Sequence, residues 1–307
     1  LRDGGYYNAW DFSQGLIEDY LQAMQSIGMD YVELGLRSFN SEGFKGGCAY
    51  TTDNFIRSLS IPQDLKLGVM INASEILGTH DGLHASLQRL FCAATESPVT
   101  LVRIACHVHE FEKALPAATW LKEQGYTVGF NLMQVADRAL EDITQLAKMA
   151  SAYPLDALYF ADSMGSMNPV HTRQVVEAFK AGWPGPLGIH THDNMGQALA
   201  NSVAAVEAGV TWVDGTVTGM GRGPGNVKTE YLVLALEAQR SPTANITPLL
   251  GVIRKHFQPM QAHYGWGSNP YYYLAGKHGI HPSYIQEMLG DSRYSEEEIL
   301  AVIAHLK

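Results

Sequence analysis

Two imidazoles one residue apart, His190-Thr191-His192, end the short apolar run Leu187-Gly-Ile-His-Thr-His192. Alternate residues of a strand point to the same face, so both rings can aim into one site. Two imidazoles and a carboxylate form a facial set for a divalent metal and leave positions open for water or substrate. Asp3, at the end of a neighbouring strand, could supply that carboxylate. Two histidines satisfied within a core are the plainer alternative. His107 and His109 repeat the spacing at the end of residues 100–107, but no carboxylate stands at an equivalent position there. Substrate contact, or support of another ligand, suits them better than a second metal.

Glu33 interrupts the apolar run Tyr31-Val-Glu-Leu-Gly-Leu36. A buried carboxylate needs a cationic partner, and Arg37 or Arg2 would serve, in a structural or a catalytic ion pair. The loop Gly219-Met-Gly-Arg-Gly-Pro-Gly-Asn226 places a glycine at every second residue, so its backbone can approach a ligand closely; an ordinary flexible loop ahead of a helix is the alternative.

The elements that must position these residues are strands alternating with helices. Strand-like runs cover 31–36, 65–72, 100–107, 126–133, 157–162, 187–192 and 212–216, and Leu1-Arg2-Asp3 reads as the end of an eighth, at the front. Helical spacing marks 14–27, where Leu16, Ile17, Tyr20, Leu21, Met24 and Ile27 recur every three or four residues. It also marks 84–94, 111–124, 137–152, 169–181 and 196–208. This alternation predicts an α/β fold, a closed (β/α)8 TIM barrel, over residues 1–230. An open doubly wound sheet usually carries a G-x-G-x-x-G turn after its first strand, and there is none here. The alternation stops after Glu230. Helical patterns at 231–240, 246–257, 282–289 and 295–306, with Ser295 and Glu298 spaced as a capping box, predict a short C-terminal helical appendage over 231–307.

In such a barrel the reactive groups stand at the C-terminal strand ends. Besides the residues above, those ends offer Asn72, Asn131 with Gln134, Asp162 with Ser163, Asp193 with Asn194, and Asp214. Glu33, Arg37, Asn131, Asp162 and Ser163 are therefore the expected substrate contacts.

Composition bounds the function. The 307 residues carry 21 Lys+Arg against 31 Asp+Glu, a net charge of −10, without the basic cluster that a nucleic-acid surface needs. At 46% hydrophobic and 17% charged the chain can build a sizeable core, yet no run suits a bilayer span. Three cysteines without metal spacing predict reduced thiols and a cytoplasmic location. Leu1 is no initiator Met and opens inside a motif, so residues upstream are expected.

Three separated motifs resemble a known family. Leu1-Arg-Asp-Gly4 is similar to its signature at the end of strand one. Gly188-Ile-His-Thr-His-Asp-Asn194, with Ala200-Asn-Ser202 and Ala208-Gly209, resembles its strand-seven motif. Gly219–Asn226 with Glu230 resembles that of strand eight. The family is the divalent-metal barrel superfamily of HMG-CoA lyase, isopropylmalate synthase and 4-hydroxy-2-oxovalerate aldolase, with its HMG-CoA lyase-like, pyruvate carboxyltransferase-type domain. Val102–His107, Gly129–Met133, Tyr159–Gly165 and Ala178-Phe-Lys180 resemble the aldolase branch most.

The resemblance implies that Asp3, His190 and His192 bind the metal, with Asn226 close by as a further or supporting ligand. Mn2+ or Mg2+ is the expected ion, ahead of Co2+ or Zn2+. It implies an enzyme that makes or breaks a C–C bond through the enolate of a pyruvate-type 2-oxo acid, with an aldehyde as the other partner. Arg2 would stabilise the enolate. The aldolases place a histidine, their general base, three residues after the signature Asp; here that residue is Tyr6. A phenol is a poor base at neutral pH unless nearby charge lowers its pKa, so Tyr6, Tyr7 and His107 all stand as candidates. The tail is short beside the aldolases' communication domain, which argues against a dehydrogenase partner, while a homo-oligomer stays compatible. Two alternatives remain: an acyl-CoA-dependent Claisen condensing enzyme of isopropylmalate synthase type, and a metal-binding barrel with altered catalysis. Against the first, Gly5-Tyr6 stands where the synthases usually read Glu-Gln.

Overall fold

The computed structural model describes residues 1–239 and 244–307. Seven of the apolar runs form parallel strands: β1 (Val32–Leu36), β2 (Leu67–Asn72), β3 (Val99–Cys106), β4 (Thr127–Leu132), β5 (Ala157–Asp162), β6 (Leu187–Thr191) and β7 (Trp212–Val213). They pair in sequence order in one sheet. Their branched side chains suit this arrangement because both faces of each strand are covered, one by the concave interior and one by helices. The sheet curls until its first and last strands face one another. Tyr31, just before β1, stacks on Trp212 of β7 with ring centroids 5.1 Å apart. A cleft of about 860 Å³ lies between them, lined by Glu33, Arg103, Tyr159 and Asp214 among others.

Leu1-Arg2-Asp3 forms no hydrogen-bonded strand among the described residues. Their backbone meets β1 at a single carbonyl, Glu33 O, which accepts from Leu1 N at 3.5 Å and from Arg2 N at 3.4 Å, and Gly4–Tyr6 turns away as a 3-10 helix. The seventh expected strand also ends early, at Val213 instead of residue 216, because the backbone there bends to meet the loop returning from Asn226.

The helices follow the apolar spacing. Gln14–Ser26 buries Leu16, Ile17, Tyr20, Leu21 and Met24, and the Ser13 side chain accepts from Leu16 N at its start. The run expected over 111–124 is two helices, Val108–Ala114 and Pro116–Glu123, because Pro116 cannot donate to the preceding turn. The run expected over 231–240 is a helix, Thr229–Ala235, and a 3-10 turn, Glu237–Gln239; its last residue, Arg240, lies outside the described residues. The main core continues past Glu230: Leu249, Val252, Ile253 and Phe257 join it, as does Trp266. Beyond it, Pro270–Lys277, Pro282–Leu289 and Glu296–Leu306 enclose a small core of their own around Tyr272, Ile285 and Ile299. Ser295 and Glu298 make the expected capping box, each side chain accepting from the other's backbone N–H. Among the described residues no helix is long and apolar enough to cross a membrane.

Candidate active site and metal centre

A cavity of about 300 Å³ opens at the C-terminal strand ends. Its floor carries Arg2, Asp3, His190 and His192; its walls carry Asn72, His107, Asn131 and Ser163, and Tyr6, Arg222 and His281. The alternation of β6 places the His190 and His192 rings on one face, with centroids 5.2 Å apart. Asp3 comes in from the first loop to meet them. One ligand atom from each of the three lies within 4.8 Å of the others.

Beneath this triad runs a closed circuit of buried charge. Arg2 pairs with Asp3 through Nη1 and with Glu33 through Nε at 2.6 Å. Glu33 holds Arg103 through its other oxygen at 2.6 Å, and Arg103 reaches Asp214 at 2.8 Å. Asp214 accepts from His190 Nδ1 at 3.0 Å, and His190 Nε2 returns to Asp3 Oδ2 at 3.6 Å. The Arg103 guanidinium also lies over the Tyr159 ring, 4.5 Å from its centroid, where Gly188 leaves the ring its room.

The circuit decides the protonation states. Burial would push the Asp3 carboxyl up, but Arg2 and the two imidazoles hold it well below the usual carboxylate range. Burial likewise opposes the Asp214 charge, and Arg103 and His190 bring that carboxyl down to about 2. Burial, with His190 next to it, lowers the His192 imidazole to about 3, so that ring stays neutral with a lone pair to give. The His190 Nδ1–H···Asp214 bond turns the Nε2 lone pair toward the triad, the orientation that supporting carboxylates give metal-bound histidines.

The residues present fit a divalent cation on three observations. Their donor set is two imidazole nitrogens and a carboxylate. His192 Nδ1 and Asn226 Oδ1 are buried without a hydrogen-bond partner, although buried polar atoms normally have one. Gly221 keeps the space beside them open, since a Cβ there would stand 2.9 Å from Asp3 Oδ2 and 2.7 Å from Asn226 Nδ2. Asn226 is drawn in by its own amide, whose Nδ2 donates to Asp3 Oδ2.

This geometry accompanies clear similarity to known proteins. The model of the HMGL-like family matches residues 1–253. The chain belongs to the HMGL-like family. A 4-hydroxy-2-oxovalerate aldolase of Carboxydothermus hydrogenoformans is 32% identical over 244 residues, 77% of this chain and 68% of that protein. Among solved structures, the N-terminal domain of a candidate aldolase from Bacteroides vulgatus superposes with a TM-score of 0.81 at 29% identity, covering 98% of this chain and 97% of that one. The HMG-CoA lyase of Brucella melitensis, at 15% identity and TM-score 0.66 over 85% of this chain and 96% of its own, shares the fold.

Within this HMGL-like site several expected residues stand elsewhere. Arg37 is buried behind the end of β1 with its donors committed: to Thr51 O at 3.2 Å, Leu90 O at 2.8 Å and the Asp53 carboxylate. It is absent from the lining of the cavity. Asp162 points into its own loop, accepting from Ser166 N at 3.0 Å and Met167 N at 3.2 Å. Glu33 lies under the cavity and ties Arg2 to Arg103; its partners are these two, not Arg37. Tyr7, a candidate base, donates its hydroxyl to Gly223 O at 2.8 Å, and burial raises its pKa further. Tyr6, His107, Asn131 and Ser163 do line the cavity.

Three residues that no motif assigned also shape the site, and Asp214, one of the strand-end residues, has a part there that its position alone did not give. Arg103 completes the circuit with Asp214, and its signal is in the sequence: Arg103 is a lone charge inside the apolar strand β3. Arg222 and His281 face the cavity from the glycine loop and from the C-terminal helices, and no local pattern announced either. Those helices cover the site. Gln286 Oε1 accepts from Gly223 N at 2.8 Å, Trp266 Nε1 donates to Thr218 O at 3.2 Å, and Ser268 Oγ donates to Asn194 O at 2.9 Å.

Proposed function

We propose that this protein is a divalent-metal aldolase, a carbon–carbon lyase that makes or breaks a bond between the enolate carbon of a pyruvate-type 2-oxo acid and an aldehyde. The observation that carries this reading is the Asp3, His190 and His192 triad on the floor of a 300 Å³ cavity with Arg2 beside it. The fold reads as a (β/α)8 barrel whose eighth position is the cleft between β1 and β7, with residues 1–230 carrying most of the chemistry and 231–307 covering it. Asp3, His190 and His192 would hold the metal, Mn2+ or Mg2+, with Asn226 steadying Asp3 and offering Oδ1. When bound, the metal supplies a Lewis acid for the carboxylate and keto oxygens of the 2-oxo acid.

The chain's own residues divide the remaining work. Arg2, fixed by Asp3 and Glu33, directs a permanent positive charge at the floor, where negative charge develops as the enolate forms. Asn131 and Ser163 contact the substrate from the walls. His107 takes the hydroxyl proton of the aldol as the C–C bond breaks and the electron pair passes to the enolate. Histidine is the commonest side chain for such transfers, and Tyr7 has committed its hydroxyl. Tyr6 packs against Trp10 and under Arg222, and acts as a wall of the acceptor side. The three free cysteines agree with a reducing, cytoplasmic setting.

The test is metal-dependent deuterium exchange into the methyl group of pyruvate, followed by proton NMR. The parent protein loaded with Mn2+ should exchange, and His192→Ala should lose both bound metal and exchange. Exchange that persists in the metal-free protein overturns the assignment. Metal binding without exchange points instead to a barrel that kept its metal and lost its chemistry.

A further inference from the structure

The proposed function leaves one charge in the cavity without a task. Arg2, Arg37 and Arg103 each hold a carboxylate. Arg222 also lines the cavity, half-buried, and holds no carboxylate among the described residues; its guanidinium lies over the Tyr6 ring, 4.2 Å from the centroid. A cation on an aromatic face keeps its N–H donors free at the edges of the guanidinium plane.

The loop that carries Arg222 is fixed on both sides. Gly223 O accepts from Tyr7 and Gly223 N donates to Gln286. Gly223 and Gly225 have φ of +61° and +78°, conformations that glycine adopts without strain, and a Cβ on Gly223 would stand 2.9 Å from Pro282. The arginine is therefore presented by a built loop, clamped between the first turn of the chain and the C-terminal helices.

Its neighbours extend the same character. His107 and His281 line the cavity with it. His281 Nδ1 accepts from Ser283 N at 3.3 Å, which leaves Nε2 as the nitrogen that carries the proton and donates. Burial, with Arg222 and His107 close by, lowers the His281 imidazole below its ordinary value, so it donates as a neutral ring. Glu110, which also lines the cavity, accepts from His107 N at 2.8 Å and caps the helix that follows.

From this arrangement we infer that Arg222, with His281 beside it, forms an anion subsite for the acceptor half of the reaction: the aldehyde carries a carboxylate or a phosphate on the end away from its carbonyl. The inference rests on the aldolase reading and sharpens it, by naming the class of aldehyde. The metal triad and Arg2 take the anionic end of the 2-oxo acid, and Arg222, on the wall of the same 300 Å³ cavity, takes a second anion. A neutral aldehyde of the same length leaves Arg222 facing no counter-charge.

The experiment compares matched acceptors with pyruvate and the Mn2+-loaded protein: succinic semialdehyde against butanal, and glycolaldehyde phosphate against glycolaldehyde. The parent should prefer the charged member of at least one pair in kcat/KM by roughly 10- to 100-fold, the range of one charge-assisted hydrogen bond. The pair that shows the preference separates a carboxylate from a phosphate. Arg222→Gln should collapse that ratio toward one, whatever its absolute rate, and Arg222→Lys should keep part of it. Calorimetric titration of the preferred charged aldehyde without pyruvate reads the subsite apart from the reaction, and Arg222→Gln should weaken it at least tenfold. Equal kcat/KM within both pairs, or a preference and an affinity that survive Arg222→Gln, overturns the inference. If the parent fails to exchange pyruvate protons but binds a charged aldehyde in an Arg222-dependent way, the aldolase reading fails and the anion subsite stands.

Discussion

Asp214 touches no proposed metal ligand except His190, so Asp214→Asn probes whether the circuit under the site serves the metal or only the fold. One carboxylate oxygen, Oδ2, accepts both from Arg103 at 2.8 Å and from His190 Nδ1 at 3.0 Å. An amide keeps the shape, loses the negative charge and offers one oxygen to two donors. Substituting such a supporting carboxylate typically costs 10- to 100-fold in metal affinity, about 1.4–2.8 kcal/mol. Loss of one partner of the buried Arg103 guanidinium adds a separate cost of about 1–3 kcal/mol to folding. Two measurements keep the effects apart. Calorimetric Mn2+ titration at pH 8 reads the first, and denaturant unfolding of the metal-free protein reads the second. The pH dependence supplies a sign. Burial disfavours the charged His190 ring, but Asp214 and Asp3 outweigh it and raise its pKa above the ordinary histidine value. Metal needs the neutral ring, so binding by the parent should fall as pH drops through that raised value. In Asp214→Asn the proton competes less well, and the fall should move to lower pH. Parental Mn2+ affinity and an unmoved pH profile, alongside lowered stability, would refute the supporting role and leave a structural ion pair.

Three further substitutions test other parts of the site. Glu33→Gln removes the carboxylate shared by Arg2 and Arg103 and should lower stability by about 3–5 kcal/mol in denaturant unfolding, as expected for a broken buried pair; a loss below about 1 kcal/mol refutes the circuit as a buried unit. Gly221→Ala adds a methyl 2.9 Å from Asp3 Oδ2, so Mn2+ affinity should drop at least tenfold while circular dichroism stays unchanged, and parental affinity would show that the triad has room to spare. Asp162 is raised to about 6 by burial, against the N–H groups that it accepts. The folded state therefore holds its proton more tightly than the unfolded one, and the stability this gives below about pH 4 is lost as pH rises through 6, on the order of 3 kcal/mol. Asp162→Asn should lack that fall, and parallel profiles from pH 4 to 7 contradict it.

The triad proposed to hold the metal was legible because a strand shows its faces in its spacing. His190 and His192 are two apart, and a parallel αβ chain brings strand ends to one rim, so Asp3 could be placed near them from the sequence. The same rule misplaced Arg37 and Asp162. A strand end fixes where a residue lies but not where its hydrogen bonds go: Arg37 turns to two carbonyls and the Asp53 carboxylate, and Asp162 to the N–H groups of its own loop. The seven paired strands followed from their apolar runs; an eighth did not, because pairing depends on a neighbour's backbone as much as on a residue's own side chain. The covering of the site by the C-terminal helices was invisible for a similar reason. The Gly223–Gln286 hydrogen bond spans 63 residues, and nothing near either residue announces it.

Arg103 and Glu33 also show why the site and the core cannot be separated here. Each is the lone charge on a largely apolar strand, a conflict between local pattern and chemistry that needs compensation elsewhere. The compensation is mutual: two arginines and three carboxylates close one circuit, with a formal charge of −1 when the imidazoles are neutral. A buried circuit with a formal charge of −1 is costly alone and would favour a cation at the triad, where Asp3 and His190 already belong to it. Metal affinity and folding stability should therefore respond together to changes anywhere in the circuit, even at Arg103, whose guanidinium lies in the layer beneath the triad and touches none of its three ligands.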